Sequence, residues 1–467
     1  MMLGAVGRRA GPRIGRGFAL QVLAEPAAWN HPPSLVTTLP NGVRVATKET
    51  FGEMATVGVY LDAGVRSETR ELTGATHLLE QLALSGTKKR PAEKLAREVE
   101  SMGAELTVRS GREQMSYAIS LFKRDLKQGV DIVSDMVNQP PVDNLAGEKA
   151  SILQKLDSTD VSNRELIMDR LHTCAFRDCS LGFSTIGPFD AIEALSPEHL
   201  RSYTDANYTA EKTVVAAVGA VSHAEVVELA SAAFGGLKAG PARVYESRPY
   251  FCGAELIYRN DEMGPTAYIS VGWEGVPWKS ADAVTFMVMA KIIGSYKKDT
   301  GLVPGAISGN RVINAVANKM QVGCADEFEA FNVSYKDTGM FGFYIACDEV
   351  AVEHAIGELM FGCNMLSFSV TDEEVERGKR ELKRSLFATS GSTSDACAEL
   401  GESMLAYGRG ISPAEMVLRI DAIDAEEVKR VAWQYLNDAE VSTTALGPLH
   451  GMPQYYDLRR STIAHRY

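Results

Sequence analysis

One order of strands and helices is written into this chain twice. Apolar runs of strand and helix period succeed each other between residues 33 and 235, and the same order returns between residues 254 and 467. Self-similarity at a period of roughly 210 residues encodes two units of one design rather than a single large sheet. The expected fold class is α+β: two homologous α/β-roll domains at residues 33–235 and 254–467, joined by a linker at 236–253 that is rich in Gly, Pro and charge.

In the first copy, Leu35 to Thr38 and Val43 to Thr47 flank Pro40-Asn41-Gly42, a strong hairpin cue. Thr56 to Leu61 reads as a strand, and residues 74–84 read as a helix. A helix over Lys94 to Met102 stops at Gly103, and Glu105 to Arg109 and Met115 to Leu121 alternate like paired strands. Asp125 to Asn138 is an amphipathic helix halted by Pro140-Pro141. Ala146 to Phe176 is mostly helical, Val214 to Gly219 is a strand, and Ser222 to Phe234 is a helix. In the second copy, strands are expected at Ala254 to Tyr258 and Thr266 to Trp273, then a helix at Ala281 to Ile293. A strand pair follows around Lys336-Asp-Thr-Gly339, then helices at Val350 to Leu366 and Asp372 to Ser390 and a closing strand at Val441 to Leu446. Antiparallel pairs mixed with helices are not the βαβ alternation of a doubly wound sheet.

Charge removes some functions. The 467 residues carry a net charge of −12, which is ill suited to binding phosphate backbones. No stretch of 18 apolar residues runs without a charge, so no membrane-spanning helix is expected. Seven widely spaced cysteines without a C-x-x-C read as reduced thiols, mostly core filler. Residues 1–24 differ from the acidic body. They carry Arg8, Arg9, Arg13 and Arg16 and no acid, the composition of a mitochondrial targeting segment.

The chemistry-bearing pattern lies on the first helix. His77, Glu80 and Gln81 fall at i, i+3 and i+4 and share one helical face. A zinc site of the H-x-x-E-H kind uses two imidazoles at i and i+4, with the Glu as general base on metal-bound water. Here the second imidazole is an amide, a poor ligand for a borderline-soft ion. By spacing alone, the pattern is a weak metal signal and better suits a capping His and an interfacial Glu.

The surroundings resemble the pitrilysin-type metallopeptidase family, in particular the mitochondrial branch that holds the processing peptidase subunits and the core proteins of the cytochrome bc1 complex. The resemblance rests on Leu39-Pro-Asn-Gly-Val-Arg-Val45, His77-Leu-Leu-Glu-Gln81 and Ser85-Gly-Thr-Lys-Lys-Arg90. It continues through Glu98-Val-Glu-Ser-Met-Gly-Ala104, Arg170-Leu-His-Thr-Cys-Ala-Phe176, Phe331-Asn-Val-Ser-Tyr-Lys-Asp-Thr-Gly339 and Leu405-Ala-Tyr-Gly-Arg409. By that resemblance each domain is a metallopeptidase-like half-shell. His77 stands for the first zinc His, Glu80 for the general base and Gln81 for the second zinc His. Glu148 matches a supporting carboxylate. Lys155, in Ser151-Ile-Leu-Gln-Lys155, stands where the acidic third ligand belongs. Asp157 lies about 200° further round a helix and would point away.

An ammonium beside a divalent ion is repulsive, and a catalytic zinc needs about three protein ligands. The resemblance therefore implies a degenerate peptidase with no bound metal, no cofactor and no catalytic residues. It further implies a peripheral, matrix-side scaffold partnered by core protein 2, cytochrome b, cytochrome c1 and the Rieske subunit in a dimeric complex. The alternative it leaves is a β-type processing peptidase subunit that cleaves presequences. Three other features are read as structural: the Gly-rich stretch from Gly301 to Gly309 as a connecting loop, Lys88-Lys-Arg90 as a solvated turn, and His172 as a core or interface histidine.

Overall fold

The computed structural model describes residues 33–142, 145, 149–150, 153–154, 162–177, 179–241, 248–298, 309–318 and 325–463. The first half builds strands β1 (Leu35–Thr38), β2 (Arg44–Glu49), β3 (Met54–Leu61), β4 (Glu105–Ser110), β5 (Met115–Phe122) and β6 (Thr213–Gly219). The second builds β7 (Ala254–Arg259), β8 (Thr266–Gly275), β9 (Ser295–Lys297), β10 (Glu327–Ser334), β11 (Gly339–Asp348) and β12 (Val441–Gly447). The two sheets have the orders β1-β2-β6-β3-β5-β4 and β7-β12-β8-β11-β10-β9. Five strands correspond one to one. In each half one parallel pair, β2 with β6 or β7 with β12, sits in an otherwise antiparallel sheet. The α+β architecture with two similar units is thus the observed one.

Local sequence explains the elements. β5 alternates buried and half-buried residues from Met115 to Leu121, the period of a strand with unlike faces. The helix Ala92–Met102 ends where Gly103 turns left-handed at φ 61°, as its position after Met102 predicts. A capping box of Thr371 and Glu374 starts the helix Asp372–Thr389. Seven helices were not evident from the apolar pattern: Phe189–Ala194, Pro197–Asn207, Arg311–Asn318, Thr393–Tyr407, Pro413–Asp421, Ala425–Tyr435 and Tyr455–Ser461. Two of them carry a readable start signal, a Ser N-cap followed by Pro at Ser196-Pro197 and Ser412-Pro413. Of the helix expected over Ala146 to Phe176, the described part is Asn163–Ala175, and most of residues 146–161 lies outside the described residues. So does the stretch 301–308.

Each sheet buries one face under its own helices. In the first half Val57, Val59, Leu61, Ile119 and Leu121 meet Leu78, Leu82, Ile132 and Val133. In the second, Ile269, Val271, Trp273 and Phe343 meet Phe286, Met289, Ile356 and Leu359. The other faces are covered by exchange. The helix Thr393–Tyr407 lies on β3 and β6, with Cys397, Leu400 and Met404 against Tyr60, Val214 and Ala216. The helix Asn163–Ala175 lies on β12, β8 and β7, with Ile167 against Tyr344 and Leu446, and Leu171 against Met340. Small residues permit the close approach: a Cβ on Gly401 would stand 2.2 Å from the Tyr60 ring.

Polar contacts cross the same seam. Arg44 donates to the Met404 carbonyl at 3.0 Å, capping the C-terminal end of the visiting helix. His172 Nε2 pairs with the Tyr335 hydroxyl at 2.7 Å, and its Nδ1 with the Met168 carbonyl at 2.7 Å. His172 is thus an interface histidine. No helix among the described residues is long and apolar enough to cross a membrane.

Candidate metal centre on the first helix

The helix Ala75–Leu84 carries His77, Glu80 and Gln81. Its apolar side, Ala75, Leu78, Leu79, Leu82 and Ala83, is buried, which turns His77, Glu80 and Gln81 to a half-buried side. Gly74 opens the helix in the left-handed region at φ 89°. Glu68 satisfies the first turn: its two carboxylate oxygens accept from the backbone N–H of Gly74 at 2.9 Å and of Thr76 at 2.8 Å. Burial raises the Glu68 acid to about 7, against the lowering effect of those Thr76 and Gly74 hydrogen bonds. The Thr76 hydroxyl donates to Tyr203, which donates onward to the Gly64 carbonyl at 3.0 Å.

Glu80 points to the edge strand β4. Its Oε2 accepts from the Ser110 backbone N–H at 3.2 Å and from the Ser110 hydroxyl. Burial lowers the basicity of His77, and the neighbouring Glu80 carboxylate partly offsets this, so the ring is neutral at pH 7. The structure brings His77, Glu80 and Gln81 together on one face. Glu148 and Lys155 lie outside the described residues. Among the described residues no group of three or more His, Cys, Asp or Glu side chains is placed to hold a metal ion. Of the three side chains on this face, the His77 ring is the one good zinc donor, since an amide donates weakly and the Glu80 carboxylate is engaged by Ser110.

One sequence expectation is corrected at the far end of this helix. Arg90 is not solvated: it is 5% exposed. Its guanidinium donates to Glu98 at 2.8 Å, to Asp135 at 2.9 Å and to Asp131, while the Thr87 hydroxyl donates to Asp135 at 2.6 Å. The cation draws three carboxylates from two helices over the turn, an arrangement that depends on tertiary contacts. Lys88 and Lys89 are exposed, as the solvated reading requires. Glu68 and Ser110 were also missed. A Glu six residues before a Gly-initiated helix is a weak signal, and Ser110 carries none.

Comparison with known proteins places this architecture. Residues 44–189 match the family described as insulinase (peptidase family M16), and residues 194–382 match the peptidase M16 inactive domain. The chain belongs to the M16 peptidase family. It is 36% identical over 450 residues to the mitochondrial-processing peptidase subunit beta of Blastocladiella emersonii, covering 94% of each chain. It is 34% identical over 439 residues to the mouse cytochrome b-c1 complex subunit 1, covering 92% of this chain and 89% of the mouse protein. A chain of complex III2 from Candida albicans superposes with a TM-score of 0.81 at 23% identity, over 92% of this chain and 99% of that one, a likeness of fold.

Proposed function

We propose that this chain is a non-hydrolytic core-1-type subunit of the mitochondrial cytochrome bc1 complex, or respiratory complex III. It would act as a peripheral scaffold on the matrix side of the inner membrane. The observation that carries this reading is the amide of Gln81 at the second metal-binding position, reinforced by Lys155 where the third ligand belongs. Losing two of three ligands removes the metal that would activate water. The likeness to the mouse complex III subunit and the inactive-type match of residues 194–382 support the assignment. In this role the chain pairs with core protein 2 and braces cytochrome b, cytochrome c1 and the Rieske subunit, holding no cofactor itself. Residues 1–24 act as the targeting segment.

The test is purification of the full chain from mitochondria in mild detergent. Co-migration with cytochrome b, zinc far below stoichiometry and inert precursor peptides are expected. A second reading, a β-type processing peptidase, is favoured by the 36% identity to such a subunit and by the retention of Glu80. It requires stoichiometric zinc and precursor cleavage that a chelator abolishes.

A further inference from the structure

Cys174 and Cys252 are far apart in the chain and adjacent in space. Cys174 belongs to the helix Asn163–Ala175, and Cys252 stands two residues before β7. The backbone N–H of Cys252 donates to the Ala175 carbonyl at 2.7 Å. Phe176 and Phe251, the residues flanking this contact, meet edge to face at 5.8 Å between ring centres. Each cysteine also leans on the same stretch of β12. The Cys174 thiol lies 3.9 Å from the Thr443 carbonyl, and the Ser442 hydroxyl donates to the Cys252 carbonyl. A disulfide needs Cα separations of roughly 4.4–6.8 Å, and the hydrogen bond from Cys252 to the residue after Cys174 brings the two backbones close together. The Cys174 thiol is raised to about 11, by burial first, with the nearby Cys252 adding to the effect.

We propose that Cys174 and Cys252 form a dithiol that closes to a disulfide with glutathione disulfide as oxidant, tying the exchanged helix of the first half to the strand that opens the second. Burial divides the roles. The half-buried Cys252 thiolate attacks one sulfur of glutathione disulfide and expels one glutathione thiolate. Buried Cys174 then gives up its proton, attacks the Cys252 sulfur of the mixed disulfide and expels the second glutathione. Two S–H bonds are lost and one S–S bond forms, and the oxidant gains two electrons and two protons. The bridge short-circuits the linker, so the helix can no longer leave the second sheet. Cys179 is the competing thiol: it is half-buried, and its sulfur lies 3.7 Å from the Phe176 carbonyl.

The experiment uses the full chain, treated with glutathione disulfide, alkylated under denaturing conditions and digested without reductant. The expected map joins the Cys174 and Cys252 peptides in one species, two hydrogens lighter than their sum, with the other cysteines alkylated. Dithiothreitol separates the peptides. Cys252→Ser abolishes the species and Cys179→Ser keeps it. After a cut between residues 236 and 241, the halves of the oxidised chain stay together on a denaturing gel until reduced. Full alkylation of all the cysteines, a bridge to Cys179, or a link between two chains each overturns the proposal. The map is read on the unaltered chain, so a variant that fails to fold does not decide the outcome.

Discussion

Arg66 of the first half grips Asp337 of the second through two parallel hydrogen bonds, at 2.7 and 2.6 Å. The same guanidinium donates to Glu113 at 2.6 Å, and the Lys336 side chain pairs with Asp62 beside it. Arg66 is only 6% exposed, so this fork works where water screens it little. The turn Lys336-Asp-Thr-Gly339, read from sequence as a hairpin connection, is thereby an ionic foothold of the second half on the first.

Truncating Arg66→Ala should therefore cost far more than losing an exposed ion pair. Glu113 would stay buried without its guanidinium partner, and breaking a buried ion pair by removing one member costs about 3–5 kcal/mol. Denaturant unfolding of the two proteins measures the difference. A loss below about 1 kcal/mol would show that the fork contributes no more than an exposed pair.

Glu68 imposes a pH dependence of definite sign. Its folded acid is raised to about 7, above the value near 4.5 of an exposed Glu, so the native state holds this proton more tightly. The contribution is complete below about pH 4.5 and is lost as pH rises through 7. The shift corresponds to a change on the order of 3 kcal/mol. Glu68→Gln should flatten the stability profile between pH 5 and 8 relative to the unaltered protein. Parallel profiles would refute the assignment.

His172 works in the opposite sense. Burial first, then Arg112, lowers its acid to about 3, so the folded protein resists protonating the ring that holds Tyr335. Stability from this site is full above about pH 6.5 and declines as pH falls towards 3. Imidazole NMR signals of His172 should show a neutral ring at pH 5, where exposed histidines are charged.

Gly401→Ala tests the helix exchange. The new Cβ would meet the Tyr60 ring at 2.2 Å, and overpacking of this kind costs roughly 1–3 kcal/mol. An alanine at Gly357, where a Cβ meets nothing within 4 Å, should be neutral or stabilising. Equal midpoints for the two variants would argue against tight packing at Tyr60.

The metal-free reading predicts a gain of function. Gln81→His with Lys155→Glu restores the residue types of a three-ligand zinc site around His77, whose ring is already neutral at pH 7. Calorimetry should detect zinc binding by the double variant and none by Gln81→His alone. Absence of binding in the double variant would mean that more than these two ligands has changed.

Much of the local structure was legible because its causes are local. The Asn41-Gly42 turn, the stop at Gly103 and the period of β5 each depend on residues a few positions apart. Seven helices escaped because their apolar stripes are short or interrupted, and in two cases the Ser-Pro start was the available cue. Arg90 was misread because a Lys-Lys-Arg run looks solvated until distant carboxylates converge on it.

The sequence by itself determined the twofold recurrence, the α+β class and the amide and ammonium at two positions of a metal-binding pattern. These are matters of residue type and short-range spacing. Only the tertiary structure decided that Asn163–Ala175 and Thr393–Tyr407 trade sheets, that Glu80 is bonded to Ser110, and that Arg66 bridges the halves. Such contacts join segments from 30 to more than 200 residues apart, and the energy that selects them comes from burying two faces together, which no window of sequence contains.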